Sequence, residues 1–442
     1  MRILRKPHPL AMFCAWFLLV FLILFPKGGV KFGDLPLTWG YLFIALSSPP
    51  LLFIRLLALP LGIYRRVFLV IALLVPMQFL FIYAGYFYGI ANPPFAVSTF
   101  TGLFALPWIF LLLYPPFLGF IDGERLSRYF RWCIVLAALW GIFLFVWHPL
   151  TGHFIEIPYL TVNAEDYGEL EHTKHISRGF FFKLISTYNN GNLYGVATLI
   201  LLPLYTYLEK VRYRRVIVKL AILLTLSRTV WAGLVMLEAL PLLVLFAKQV
   251  KTFPRVYLAS ALRRIVAVGV TVGLVFTALL FNANSTLDFL LDPNLGGRSG
   301  TFYYLFHTTL LPTQPVYGFS EILYASAAES WGYAGLVAFT LIMVSPLLLL
   351  LVDRSALDSP SRRAALKGLV LYIVLAGSDG AFNFIPVMAF YWFTYMIYLF
   401  GWPSGLSVSS VRRFRPMSHA THDVLMPQTE GLRYQGTPSG SL

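Results

Sequence analysis

Apolar stretches of bilayer length, separated by short polar breaks, recur along almost the whole chain. Measured against the roughly 17–25 residues a membrane-spanning helix needs, they fall near 10–25, 38–59, 67–90, 97–121, 133–149, 189–208, 214–227, 229–247, 264–282, 331–352, 366–378 and 384–402. The pattern predicts an all-α polytopic membrane protein with about twelve transmembrane helices in a single domain over 1–402. Three stretches, 10–25, 214–227 and 366–378, are short for a full span. The last two each run into a polar break, Ser227-Arg228-Thr229 and Gly377-Ser378-Asp379-Gly380. Backbone unwound in lipid is unsatisfied, so short paired segments of this kind are expected to line a cavity. The first stretch follows Arg2, Arg5 and Lys6 and has no small-residue cleavage site before Lys27. It reads as a retained first helix.

Composition sharpens this picture. Charged residues make up 12% of the chain and hydrophobic ones 58%, with a mean hydropathy of +0.73, against roughly 25% charged in soluble proteins. A water-soluble enzyme, a disordered chain and a disulfide scaffold are all excluded. Cys14 and Cys133 are the only cysteines and both lie in apolar runs, so no disulfide framework is expected. In a membrane chain the net charge of +15 reports orientation before it reports nucleic acid, and no nucleic-acid partner is expected. With the N-terminus in the cytoplasm, 25 of the 34 Lys and Arg fall in cytoplasmic segments. The outward cations are Lys27, Lys31, Lys174, Arg178, Lys183, Arg228 and Arg298, and 11 of the 19 acids also face outward. Both termini are therefore expected in the cytoplasm. Two long loops, about 150–188 and 283–330, lie outward, and 403–442, rich in Ser, Pro, Gly and Arg, reads as a disordered cytoplasmic tail. Long loops are usually functional or disordered, which turns the working face outward.

On that face, Arg228 sits in Leu226-Ser227-Arg228-Thr229-Val230-Trp231. Two readings are open: a side chain snorkelling to headgroups, or a fixed fork for phosphate oxygens. Arg298, in Gly296-Gly297-Arg298-Ser299-Gly300, is either an ordinary turn arginine or a second phosphate ligand to which flanking glycines give close access. Glu321 and Glu329, eight residues apart near the start of the tenth span, can share a helix face. Each is either a solvated acid at a helix start or a general base at the rim of a low-dielectric cavity. His307 is a second candidate base, or an incidental loop histidine. The first loop carries His153, Glu171, His172 and His175; His172-x-x-His175 has metal-ligand spacing, but a solvated face is the simpler reading. Asn189, Asn190 and Asn192 open the sixth span as helix caps, or as amides that recognise sugar hydroxyls beside Tyr188 and Tyr194. Glu238, inside the eighth span, calls for a structural partner. A Walker loop, a dinucleotide glycine fingerprint, GxSxG and an Asp-x-Asp metal site are all absent, which argues against an ATP-driven pump or a nucleotide-sugar transferase.

Ser186-Thr187-Tyr188-Asn189-Asn190-Gly191-Asn192-Leu193-Tyr194-Gly195, ending in Leu201-Leu202-Pro203-Leu204, resembles the sixth-span signature of the O-antigen ligase and polymerase family. Leu224-Thr225-Leu226-Ser227-Arg228-Thr229-Val230-Trp231 resembles its Ser-Arg turn. Gly297-Arg298, then Pro315-Val316-Tyr317-Gly318 and Glu329-Ser330-Trp331-Gly332-Tyr333-Ala334-Gly335, resemble its large outward loop and the following helix. The resemblance covers about residues 180–340. It implies an all-helical, GT-C-like transferase fold in the bacterial inner membrane and metal-independent, cofactor-free glycosyl transfer from undecaprenyl-diphosphate-linked glycans on the periplasmic face. Arg228 and Arg298 would be its diphosphate ligands. Donor and acceptor glycans, membrane lipids and a chain-length regulator would be its partners.

Ligases of the family carry a histidine where this chain has Glu321, and several polymerases have an acid there. The resemblance thus implies a polymerase of surface or exopolysaccharide repeat units, with an O-antigen ligase as the alternative. In the expected reaction Arg228 and Arg298 stabilise charge developing on the leaving diphosphate. Glu321, or else His307, takes a proton from the acceptor hydroxyl. Asn192 and Glu329 line the substrate site, and Tyr188, Trp231, Tyr303 and Tyr304 stack on sugar faces. A lipid-linked oligosaccharide flippase also needs an arginine-lined cavity, but it should carry internal repeats and cations deep in many spans, which this chain lacks. A peptidoglycan polymerase of the shape-and-division type finds no supporting motif.

Overall fold

The computed structural model describes residues 7–33, 35–58, 64–170, 177–178, 181–247, 299–352 and 357–403. In chain order, α1 (Pro9–Leu19) continues as a π-helical turn, Val20–Leu24, into the hairpin β1 (Gly29–Phe32) and β2 (Leu35–Thr38), paired antiparallel. Next come α2 (Trp39–Ala58), α3 (Arg65–Tyr88) and α4 (Pro93–Phe100), which is extended by further helical turns to Leu113. α5 (Gly123–Thr151) leads into a long connection, where β3 (Ser177–Arg178) pairs with β4 (Phe181–Phe182). α6 (Gly191–Leu208), α7 (Arg212–Leu223) and α8 (Arg228–Ala247) follow, then α9 (Leu323–Val352), α10 (Pro360–Leu375) and α11 (Ile385–Phe400). Every expected apolar stretch within the described residues is helical. The stretch 264–282 and the tail 404–442 lie outside those residues.

Side-chain amides and carboxylates start several helices by accepting from otherwise orphaned backbone N–H groups. Asp122 Oδ1 accepts from Glu124 N at 2.9 Å, Asn92 Oδ1 from Phe95 N at 3.2 Å and Asn190 Oδ1 from Asn192 N at 2.9 Å. Among the described residues six helices are long and apolar enough to cross a membrane: Trp39–Leu56, Arg65–Tyr88, Pro93–Leu113, Gly123–Thr151, Gly191–Leu208 and Leu323–Val352. Their outer faces are what water would not tolerate. Phe68, Phe79, Ile82 and Phe87 on α3, and Leu136, Leu139, Phe143 and Val146 on α5, are all exposed. Bare apolar faces of this extent belong in lipid. The chain is an all-α membrane protein. α6 stands at its centre, with all but one residue from Gly191 to Tyr205 buried, mostly against α10 and α11.

Contacts between distant loops sort them onto two ends. At one end His8 N donates to Phe120 O, Trp402 Nε1 to Gly123 O, and the fully buried Glu209 carboxylate faces Arg131 and Arg214 at 3.6 and 3.7 Å. At the other, Trp39 Nε1 donates to Tyr159 O, Ala91 N to Val316 O, and Leu184 N to Leu224 O. Each group contains only loops that the alternation of spans places on one side.

α9 begins eight residues before the expected boundary of 331, so the end of the outward loop is helical. It is broken at Gly332, whose φ of +69° and ψ of −170° leave the helical region. A side chain is excluded there: a Cβ would lie 2.6 Å from Thr309 O. The loop carbonyls of Thr309 and Leu310 then accept from Tyr333 N and Ala334 N, restarting the helix.

Candidate functional site

The three asparagines of the sixth-span motif divide the work that the sequence left open. Asn190 is the cap. Asn189 takes a left-handed φ of +56°, a conformation asparagine tolerates, and its Nδ2 donates to Thr161 O at 2.9 Å. Asn192, the second residue of the helix, donates from Nδ2 to Asp379 Oδ2 at 2.9 Å, and its Oδ1 accepts from Lys183 Nζ at 3.4 Å. Lys183 and Asp379 are 8% and 3% exposed. A cation, an amide and an anion are thus joined in one buried line, 187 residues being spanned between its amide and its acid.

Asp379 is held by the break between α10 and α11. Its N–H donates to Leu375 O at 2.9 Å, Gly380 N donates to Glu321 O at 2.8 Å, and Tyr372 OH donates to Gly380 O at 2.7 Å. Asn383 Nδ2 donates to Phe319 O, and Ser98 Oγ to Asn383 O at 2.8 Å. The backbone leaves the helix here with its polar groups re-paired, as buried backbone requires.

Arg228 is the first residue of α8 and is partly exposed. A cation in a helix's first turn opposes the macrodipole, so helix stability does not account for it. The turn before it is strained: Leu226 has φ +50°, a genuine outlier for a bulky residue. Trp231 Nε1 bonds to Leu223 O at 2.8 Å and Trp231 N to Ser227 O at 2.9 Å, which closes the turn. α8 lies against the start of α6 because residue 195 is glycine; a Cβ there would sit 2.4 Å from a Val230 methyl. Ser186, Asn189, Leu226 and Ala381 are four of the five non-glycine residues with positive φ among the described residues. They lie on the three irregular segments that carry Lys183, Asn192, Arg228 and Asp379. Such outliers persist where surrounding structure over-determines them, and they cluster at functional sites.

Glu321 enters this group through its backbone, bonded to Gly380 beside Asp379. It precedes α9, whose first helical residue is Leu323. The expectation that Glu321 and Glu329 share a helix face is therefore corrected, since helical spacing applies only to residues inside one helix. Glu329 lies on α9 itself, and its carbonyl accepts from Gln314 Nε2 at 2.7 Å. His307 is exposed, its ring stacked on Tyr303 with centroids 4.0 Å apart and its Nδ1 3.2 Å from Tyr303 O. The next residue, Thr308, bonds to Ala328 O, so the histidine's segment is tied to the Glu329 part of α9.

Two expected stacking platforms are core residues instead. Tyr188 is 2% exposed, packs edge-on against Tyr194 and donates its hydroxyl to Ile23 O at 3.0 Å. Trp231 is 7% exposed. In this arrangement neither ring offers a face to a sugar, because each is enclosed where irregular segments pack on α6 and α8. Tyr303 is exposed and Tyr304 partly so. Glu238 has the structural partner expected for it, Lys219 on α7. Arg298, and Glu171, His172 and His175 of the first loop, lie outside the described residues. Lys183 and Asp379 are the additions that the structure makes. Asp379 stood in the sequence as the acid of a polar break, but its pairing with Asn192 had no local signal. Among the described residues no group of three or more His, Cys, Asp and Glu is placed to hold a metal. No family model matches the chain, and no curated protein does.

Proposed function

We propose that this protein is a polymerase of lipid-linked polysaccharide repeat units, set in the bacterial inner membrane with twelve spans and both termini in the cytoplasm. The observation that carries the reading is the meeting of three irregular segments, 183–192, 224–228 and 377–383, bearing two cations, an amide and an acid at one end of the helix bundle. Its end is the one to which the positive-inside rule assigns the periplasm. The motif resemblance supplies the reaction class.

The donor is a glycan on undecaprenyl diphosphate. Arg228, with Arg298 from the large loop, binds the diphosphate oxygens in bidentate fashion. The acceptor hydroxyl oxygen attacks the anomeric carbon as the bond from that carbon to the diphosphate oxygen breaks. Undecaprenyl diphosphate leaves, and its charge develops beside the arginines, where preorganised cations contribute most. Glu321 takes the hydroxyl proton. Asn192 is held between Lys183 and Asp379 and presents a fixed polar edge beside the donor sugar.

Cells carrying single variants test this. Arg228→Lys keeps the charge but loses the fork, and should shorten the surface glycan sharply in a folded protein. Glu321→Gln should lower turnover by about 10²–10⁴-fold, and His307→Ala should change it little. Normal glycan length in both Arg228→Lys and Glu321→Gln would reject the proposal.

A further inference from the structure

A polar cavity lies beside this site. The β1–β2 hairpin packs on the loop at 157–170: Gly29 forms a backbone bridge with Asn163, and Lys31 N donates to Glu165 Oε2 at 2.9 Å. Between them opens a cleft of about 530 Å³, lined among others by Lys27, Lys31, Asn163, Glu165, Glu169 and Asn189, a size typical of sites for small ligands. It adjoins the proposed transfer site at two points. Asn189 stands three residues before Asn192, and the Lys27 ammonium lies 5.5 Å over the Phe384 ring, at the end of the break that holds Asp379.

Asn163 indicates what the cleft is for. It is 4% exposed, and its Nδ2 donates to Asp166 Oδ2 at 3.4 Å, while its buried Oδ1 accepts no hydrogen bond. A buried acceptor without a donor costs about 1–3 kcal/mol, and because Asn163 lines the cleft, a ligand donor that meets its Oδ1 as the side chain turns toward the opening relieves that cost. An anion brings none, and the three carboxylates Glu165, Asp166 and Glu169 outnumber the two lysines in the lining. A metal cation is opposed as well, because Lys31 Nζ already holds Asp166 Oδ1 at 2.5 Å. Hydroxyl groups suit the set: they donate to the amide oxygen and carboxylates and accept from the ammoniums.

We infer that this cleft is a saccharide subsite, gripping a sugar of the acceptor chain by its hydroxyls next to the transfer site. Only the identity of that saccharide as an acceptor rests on the polymerase reading. The probe is the lipid-free oligosaccharide released from the source cell's surface polysaccharide. Its binding to the full chain in detergent is followed by calorimetry, with Asn163→Leu and Glu169→Gln as variants. Glu169 is exposed, so its variant tests the cleft without disturbing folding. The wild type should bind the oligosaccharide, both variants should bind about tenfold more weakly, equivalent to about 1.4 kcal/mol, and millimolar inorganic diphosphate should not displace it. Absence of binding to the wild type, unchanged affinity in both variants, or displacement by diphosphate would each overturn the subsite. Incubating the same samples with lipid-linked repeat units separates the two claims. Binding without polymerisation refutes the polymerase and leaves the subsite, and polymerisation without binding does the reverse.

Discussion

In a Lys183→Gln background, which removes the cation 3.4 Å from Asn192 Oδ1, replacing Asn192 with aspartate would oppose two carboxylates where an amide now donates to Asp379 at 2.9 Å. Asp379 is 3% exposed, so water screens the pair poorly. Unit charges about 4 Å apart repel by about 4 kcal/mol at an effective dielectric of about 20, and carboxylates this close share one proton instead of both ionising. The penalty becomes that of keeping a proton on a carboxyl that ionises near about 4 in the unfolded chain. The folded variant then binds one more proton than the unfolded one, so its stability relative to that background falls as pH rises. The slope is about 1.4 kcal/mol per pH unit, or roughly 3 kcal/mol between pH 5 and pH 7. Asn192→Leu in the same background removes the donor without adding charge, and should lose about 1.5–3 kcal/mol with no such slope. Unfolding of the detergent-solubilised protein, followed through its 10 tryptophans at both pH values, distinguishes the two variants. Equal losses in Asn192→Asp and Asn192→Leu, unchanged with pH, would refute the Asn192–Asp379 contact and the buried line built on it.

Gly195→Leu should destabilise by about 1–3 kcal/mol through overpacking, because a Cβ there falls 2.4 Å from Val230; thermal unfolding should show the loss, partly restored by a second change, Val230→Ala. Tyr188→Phe should lower stability by about 0.5–1.5 kcal/mol through loss of the bond to Ile23 O yet leave glycan length intact. Shortened glycan in a variant of unchanged stability would return the ring to the role of sugar platform.

The helix positions were legible because a bilayer imposes a length on apolar runs that needs no tertiary information. The boundary of α9 was not, since Leu323-Tyr324-Ala325-Ser326-Ala327-Ala328-Glu329 is helix-forming without being apolar enough to mark a span. Arg228 stands out in sequence as a cation in a polar break between apolar runs, and Glu321 as an acid eight residues before Glu329. Asp379 stood in plain view, but its meaning depends on Asn192, far away in sequence, and no local pattern encodes that contact. Tyr188 and Trp231 were misread for a related reason. α6 is buried nearly all round and shows no polar face of its own, so along it and the turns packed on it a core aromatic and a binding aromatic look alike in sequence. The Lys219–Glu238 pair was half legible: an acid inside a span implies a partner, without saying which.

Reconstitution tests the polymerase claim most directly. The purified wild-type protein, placed in lipid bilayers with undecaprenyl-diphosphate-linked repeat units and a metal chelator, needs no other component in the proposed reaction. A gel of the products should show a ladder of lengthening glycan with release of undecaprenyl diphosphate, and Glu321→Gln should slow that ladder by about 10²–10⁴-fold. A folded wild-type protein that leaves the repeat units unextended, or that extends nothing and joins glycan only to lipid A-core when this is added as a second acceptor, would contradict the account.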